Sequence, residues 1–155
     1  MSEEEYVRQA LALANTAAAN GGGPFGALIV RRGVVVGTGT NDVVGEADPT
    51  AHAEVVAIRA ACRRLGTHEL TGATVYTSCE PCPMCLAAGW WARVDAIVFA
   101  ADRHQAAAAG FDDAALYDEV AAPLDERTLP LRQLLATEGD GPFQTWAANA
   151  SRVPY

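Results

Sequence analysis

Apolar residues recur at helical spacing over residues 3–20, where Tyr6 or Val7, Ala10, Leu11, Ala14 and Ala17 or Ala18 share one face. Ser2 and Glu5 precede that run at the spacing of a capping box. Gly21-Gly22-Gly23-Pro24 stops the helix. The period then shortens. Residues 25–30 and 34–39 are Val/Ile-rich runs joined by Arg31-Arg32-Gly33, which predicts a β-hairpin. A loop rich in Asn, Asp, Gly and Pro covers 41–50, with Thr50 placed to cap a helix of about 51–65 that Gly66 ends. Strand 73–78, helix 83–91 and strand 94–100 read as a βαβ unit, whose strands run parallel with a right-handed crossover. Beyond it lie a polar, Ala-rich stretch through Tyr117, a fifth strand expected near 129–137, and a last helix in the run from Gly141 to Asn149. The pattern is α/β, a mixed sheet with helices against it.

Composition narrows the class. A chain of 155 residues, half of them hydrophobic and 19% charged, fits one domain spanning 1–155 with a core of its own. No apolar run reaches membrane-spanning length. The acidic start Met1-Ser2-Glu3-Glu4-Glu5 lacks the basic and apolar regions of a signal peptide, so the expectation is a cytoplasmic protein with reduced thiols. Net charge is −8, and Arg31-Arg32 and Arg63-Arg64 are the only adjacent basic pairs. A protein that grips a phosphate backbone carries a basic stripe. None is visible here, which argues against polymeric nucleic acid as substrate.

The chemistry concentrates in two short runs, Thr50-Ala51-His52-Ala53-Glu54 and Cys79-Glu80-Pro81-Cys82-Pro83-Met84-Cys85. Three thiols in seven residues admit a disulfide, an iron–sulfur cluster or a zinc site. Reduced thiols disfavour the disulfide. The bacterial iron–sulfur run needs a further Cys followed by Pro, which is absent. Cys82 and Cys85 share a face at the start of a helix, where exposed N–H groups and the helix dipole favour thiolates. With His52 they form a Cys₂His set that leaves a fourth position open, the catalytic zinc pattern. A closed structural site that adds Cys79 would leave Glu54 without a role, and so would a zinc module without activity. Beside an activated water, Glu54 can take a proton and return it. Cys79 then lines the floor of the site, and Cys62 belongs to the core.

His52-Ala53-Glu54 with Pro81-Cys82-Pro83-Met84-Cys85 is the H-x-E…P-C-x-x-C signature of the zinc-dependent nucleobase deaminases. The likeness extends over nearly the whole chain. Pro24-Phe25-Gly26-Ala27, Asn41, Asp48 through Val55, Tyr76 through Cys85, Trp91-Ala92-Arg93, Ala109-Gly110-Phe111-Asp112-Asp113, Glu126-Arg127-Thr128 and the terminal Tyr155 resemble the bacterial guanine deaminases of the cytidine-deaminase superfamily. The tRNA adenosine deaminases of that superfamily share the zinc motifs but lack the Ala109–Asp113 stretch and a tail ending in Tyr. The resemblance implies a three-layer α/β/α fold with a mixed five-stranded sheet and helices on both faces. It implies one Zn²⁺ per subunit on His52, Cys82 and Cys85. It also implies hydrolysis of guanine to xanthine and ammonia, with attack at C2 and Glu54 as proton shuttle. Phe25, Asn41, Ala53, Trp91 and Tyr155 become candidate substrate contacts. Asp113, favoured over Asp112, becomes a second catalytic carboxylate toward the purine edge or departing amine. Guanosine, cytosine or aminotriazines remain alternative substrates, and a tRNA adenosine a more distant one. The expected partner is a second copy of the chain, a homodimer that exchanges its C-terminal segment (about 141–155).

Overall fold

The computed structural model describes residues 1–155. The chain divides into two compact units, Met1–Asp118 and Glu119–Tyr155. The first holds helix α1 (Glu3–Ala19), strands β1 (Gly26–Arg31) and β2 (Val34–Thr40), helix α2 (Ala53–Leu65), strand β3 (Ala73–Cys79), helix α3 (Pro83–Trp91), strand β4 (Ala96–Ala101) and helix α4 (Arg103–Ala108). Helix α5 (Asp113–Ala121) begins in that unit, and α6 (Gly141–Ala148) lies in the second. The strand order is β2-β1-β3-β4; β1 is antiparallel to β2 and β3, while β3 and β4 run parallel.

Local chemistry explains several boundaries. The Ser2 hydroxyl accepts from the Glu5 N–H and the Glu5 carboxylate accepts from the Ser2 N–H, a closed capping box at the head of α1. The hairpin turns on Arg32 and Gly33, both at positive φ, as a two-residue turn between twisted strands requires. Thr50 does not cap α2; His52 takes the N-cap position, without a side-chain capping hydrogen bond. The Asp48 carboxylate takes both the Thr50 hydroxyl and its N–H, so Thr50 closes the preceding loop instead. The Ala-rich stretch becomes α4 because Asp102 and Gln105 build a second capping box.

β1 shows how the layers arise. Ala27 and Ile29 point to one face, packing with Val36, Val75 and Ala53, Ala57 and Ala61 of α2. Leu28 and Val30 point to the other, packing with Tyr76 and with Tyr6 and Ala10 of α1. Period-two alternation therefore feeds two cores, one under each helix, and helices cover both faces as expected. α2 lies very close to β2: a Cβ on Gly37 would sit 2.5 Å from the Ala57 carbonyl oxygen, and one on Gly39 would overlap the Ala53 carbonyl oxygen. Only glycine permits that approach.

The sheet has four strands, not the expected five. Residues 129–137 form no strand, and Leu129, Leu131, Leu134 and Leu135 are all exposed. Their apolar pattern signals a surface that needs cover; Pro130 removes one of the ladder donors a strand would need. No helix is long and apolar enough to cross a membrane.

Candidate active site

The two chemical runs meet at the N-termini of α2 and α3. His52 caps α2 and Cys82 caps α3, both with extended backbone (φ −70°, ψ 153° and φ −62°, ψ 166°). Pairing of β1 with β3 and packing of α2 on α3 bring these ends together. His52 Nδ1 lies 3.6 Å from the Sγ atoms of both Cys82 and Cys85. Zinc bonds of about 2.3 Å to sulfur and about 2.05 Å to nitrogen at a tetrahedral angle place S and N about 3.6 Å apart. The three ligand atoms all lie within 4.8 Å of one another. Donor set and spacing thus fit a tetrahedral zinc ion held by three protein ligands.

Their electrostatics agree. The Cys82 thiol is pulled down to about 4, first by a hydrogen bond from Cys85 and then by His52. The anion on Cys82 in turn drives the Cys85 thiol up and raises His52. One negative charge is already stabilised among the three donors, the condition a cation exploits. Cys79 stands outside this set. It is buried, its Sγ donates to the Asp102 carbonyl at 3.8 Å, and burial pushes its thiol up to about 11.

Glu54 lies in the first turn of α2, 6% exposed. Thr77 of β3 donates to Oε1 at 2.8 Å, while Oε2 accepts from Cys85 Sγ at 3.3 Å. Burial pushes its carboxyl above the usual range, which suits a group that must both take and return protons near neutrality. These side chains line a cleft with Phe25, Asn41, Cys79, Glu80, Phe111 and Asp113. Its atom-free space, counted out through the open mouth, is about 380 Å³. Phe25 and Phe111 meet edge to face at 4.8 Å and make one aromatic wall. The Asp113 carboxyl is raised by burial first and then by the negative charge of Cys82.

Eight of the residues expected from sequence therefore converge: Phe25, Asn41, His52, Glu54, Cys82, Cys85 and Asp113, with Cys79 in the lining as expected. Ala53 is fully buried in the core at the first residue of α2, beside the cleft lining. Trp91 ends α3, more than half exposed, with the Arg93 guanidinium over its ring, and is not among the lining residues. Tyr155 is exposed in the second unit. Sequence reasoning missed Thr77, Glu80 and Phe111 as parts of the site. Thr77 reads as an ordinary strand residue, and only the β-register shows that it faces Glu54. Glu80 and Phe111 sit inside the Cys79–Cys85 run and the Ala109–Asp113 stretch, where the neighbouring Cys and Asp side chains bear the recognisable chemistry.

The model of the cytidine and deoxycytidylate deaminase zinc-binding region matches residues 1–101, the part that holds the metal triad and Glu54. The chain belongs to that deaminase family. Within the family, guanine deaminase of Bacillus subtilis is 48% identical over the full length of both chains. Its X-ray structure superposes with a TM-score of 0.96, covering 100% of this chain and 99% of that one. Guanine deaminase from Nitrosomonas europaea is 35% identical with a TM-score of 0.69, over 72% of this chain and 65% of its own. The tRNA-specific adenosine deaminase of Aquifex aeolicus is 42% identical, but over 65% of this chain and 67% of its own length.

Proposed function

We propose that this chain hydrolyses guanine to xanthine and ammonia. One observation carries the reading: Phe111 and Asp113 complete the cleft from beyond residue 101, where the match to the family's common region ends, while the likeness to a guanine deaminase runs on through the last residue. The common region supplies metal and proton transfer; the C-terminal third supplies the groups that select the ring.

His52, Cys82 and Cys85 would hold one zinc ion. When bound, zinc acts as a Lewis acid that brings the pKa of water near neutrality. Glu54 takes one proton of the attacking water and delivers it to a ring nitrogen. It then takes the second proton, from the oxygen now bonded to C2, and delivers it to the amine, which leaves as ammonia as the C–N bond breaks and the carbonyl forms. Thr77 keeps one Glu54 oxygen fixed so that the other faces the reacting centre. Asp113, which also lines the cleft, accepts from the purine edge or the departing amine. Phe25 and Phe111, as one aromatic wall, pack against the flat ring. The Asn41 side-chain amide donates and accepts on a base edge, its Oδ1 held by the Val43 N–H.

The active form in this proposal is a homodimer in which the C-terminal segment of one subunit brings Tyr155 to the site of the other. Supporting it, residues 128–155 are exposed throughout, although they include Leu134, Leu135, Phe143 and Trp146. All four cysteines are free, which suits a reducing, cytoplasmic setting. The deciding experiment is an ammonia-release assay with the zinc-loaded protein on guanine, guanosine, cytosine, an aminotriazine and a tRNA anticodon stem-loop. Guanine should be consumed fastest, with xanthine as product. Turnover of the RNA alone would overturn the proposal.

A further inference from the structure

Helix α5 starts with Asp113, the carboxylate it lends to the cleft, yet none of its residues is buried. Apolar burial therefore does not fix its position. Tyr117 does much of that work: it follows Asp113 by four residues, so the two side chains share a face of the helix. The Tyr117 hydroxyl donates to the Pro81 carbonyl at 2.7 Å, one residue before the ligand Cys82. Over the Tyr117 ring, at 3.7 Å, lies the guanidinium of Arg103. Arg103 in turn grips Glu80 with its Nη2 on Oε1 (2.7 Å), its Nε on Oε2 (3.2 Å) and its backbone N–H on Oε2 (2.9 Å). Glu80 is itself anchored, its N–H donating to the Ala101 carbonyl at 2.7 Å.

We propose that Glu80, Arg103 and Tyr117 form a clasp that positions the first turn of α5, and so sets where the Asp113 carboxylate stands relative to the metal ligands. Arg103 and Tyr117 are positioning residues: neither lines the cleft, and both act through Asp113. The arrangement specifies arginine. A planar fork can engage both carboxylate oxygens and lie flat on a ring at once, whereas a lysine ammonium can make only one point contact. The stack is a cation–π contact. Displacements of about 1 Å at a reacting group can cost about a hundredfold in rate, so a clasp on the surface can govern the chemistry beneath it.

The inference rests on the guanine reading for its kinetic assay, and its second readout is independent of that reading. Two variants test it in the zinc-loaded protein: Arg103→Lys, which keeps charge and loses fork and stack, and Tyr117→Phe, which loses only the hydroxyl. Both should retain zinc, measured as metal per chain. Amide hydrogen exchange should quicken in peptides covering 113–117 and stay unchanged in those covering α2 and α3. Guanine kcat/KM should fall by about ten- to a hundredfold in Arg103→Lys and less in Tyr117→Phe. Combined with Asp113→Ala, Arg103→Lys should add no further loss, because its effect passes through that carboxylate. Unchanged exchange at 113–117 in both variants overturns the clasp, as does a loss that adds in full to that of Asp113→Ala. A wild-type chain that leaves guanine untouched overturns the substrate reading instead, and the exchange result still decides the clasp.

Discussion

Glu54 is a charged group placed where burial is expensive, and it is retained there by Thr77 and by the cysteine beside it. An isolated carboxylate in such a place would neutralise itself or unfold the site; a metal ion alongside makes it useful. Glu54→Gln keeps the shape and the oxygen that Thr77 donates to. Zinc per chain should therefore stay constant while guanine turnover falls by at least about 10²–10⁴-fold, the share of a lost acid–base group. Full turnover in that variant would exclude Glu54 as the shuttle. Asp48 serves the site differently, by shaping the loop that leads to His52. Hydrogen bonds from the Thr50 hydroxyl and N–H, then the Arg59 guanidinium, hold its carboxyl below the usual range. A lowered folded-state pKa contributes stability that is present above the unfolded value, about 3.9, and is lost as pH falls through the folded one. Asp48→Asn should thus lower the urea midpoint at neutral pH. The gap to the parent protein should close progressively below about pH 4.

At the scale of elements, the metal triad depends on how closely two helix ends approach. α2 bears His52 and Glu54 at its first residues and rests on β2 over Gly37 and Gly39. A methyl group at Gly39 would collide with the Ala53 carbonyl oxygen, in the first turn of α2. Gly39→Ala should push that helix end outward, cost about 1–3 kcal/mol as overpacking does, and lower zinc content by moving His52 away from the cysteines. Calorimetry and metal analysis of the same preparation check both effects. A variant with normal melting and full zinc would mean that the sheet yields more readily than the packing implies. α3 needs no such device. Pro83 occupies its first turn, where a missing N–H costs nothing, and Cys82 and Cys85 fall on one face by helical spacing alone.

On the scale of the whole molecule, the apolar exposure is unevenly distributed. Leu86, Trp90, Trp91 and Phe99 are exposed on α3 and β4 in the first unit, and residues 128–155 bury none of their leucines or aromatics in the second. Apolar surface on this scale marks an interface, and the proposed dimer accounts for it. Light scattering should give twice the chain mass. Deleting residues 152–155 should leave mass, zinc content and melting temperature nearly unchanged while guanine turnover collapses. A truncated protein with normal turnover would remove Tyr155 from the site, and a monomeric active protein would remove the exchange altogether.

By itself the sequence determined what local spacing controls. The capping box at Ser2, the hairpin, the parallel β3–β4 unit, the shared face of Cys82 and Cys85 and the pairing of His52 with Glu54 are short-range patterns, and the structure keeps all of them. Resemblance to a family carried Phe25, Asn41 and Asp113 to the same cleft. Tertiary structure decided the rest, because it depends on which segments meet. Thr77 faces Glu54 only through the register of β3, and Phe111 closes the wall only by reaching Phe25. The Glu80–Arg103–Tyr117 clasp joins three segments that no motif links. The same limit explains the missing fifth strand. Periodicity in 129–137 records that leucines want cover, and hydrophobicity, being non-directional, does not say whether a sheet or another chain provides it.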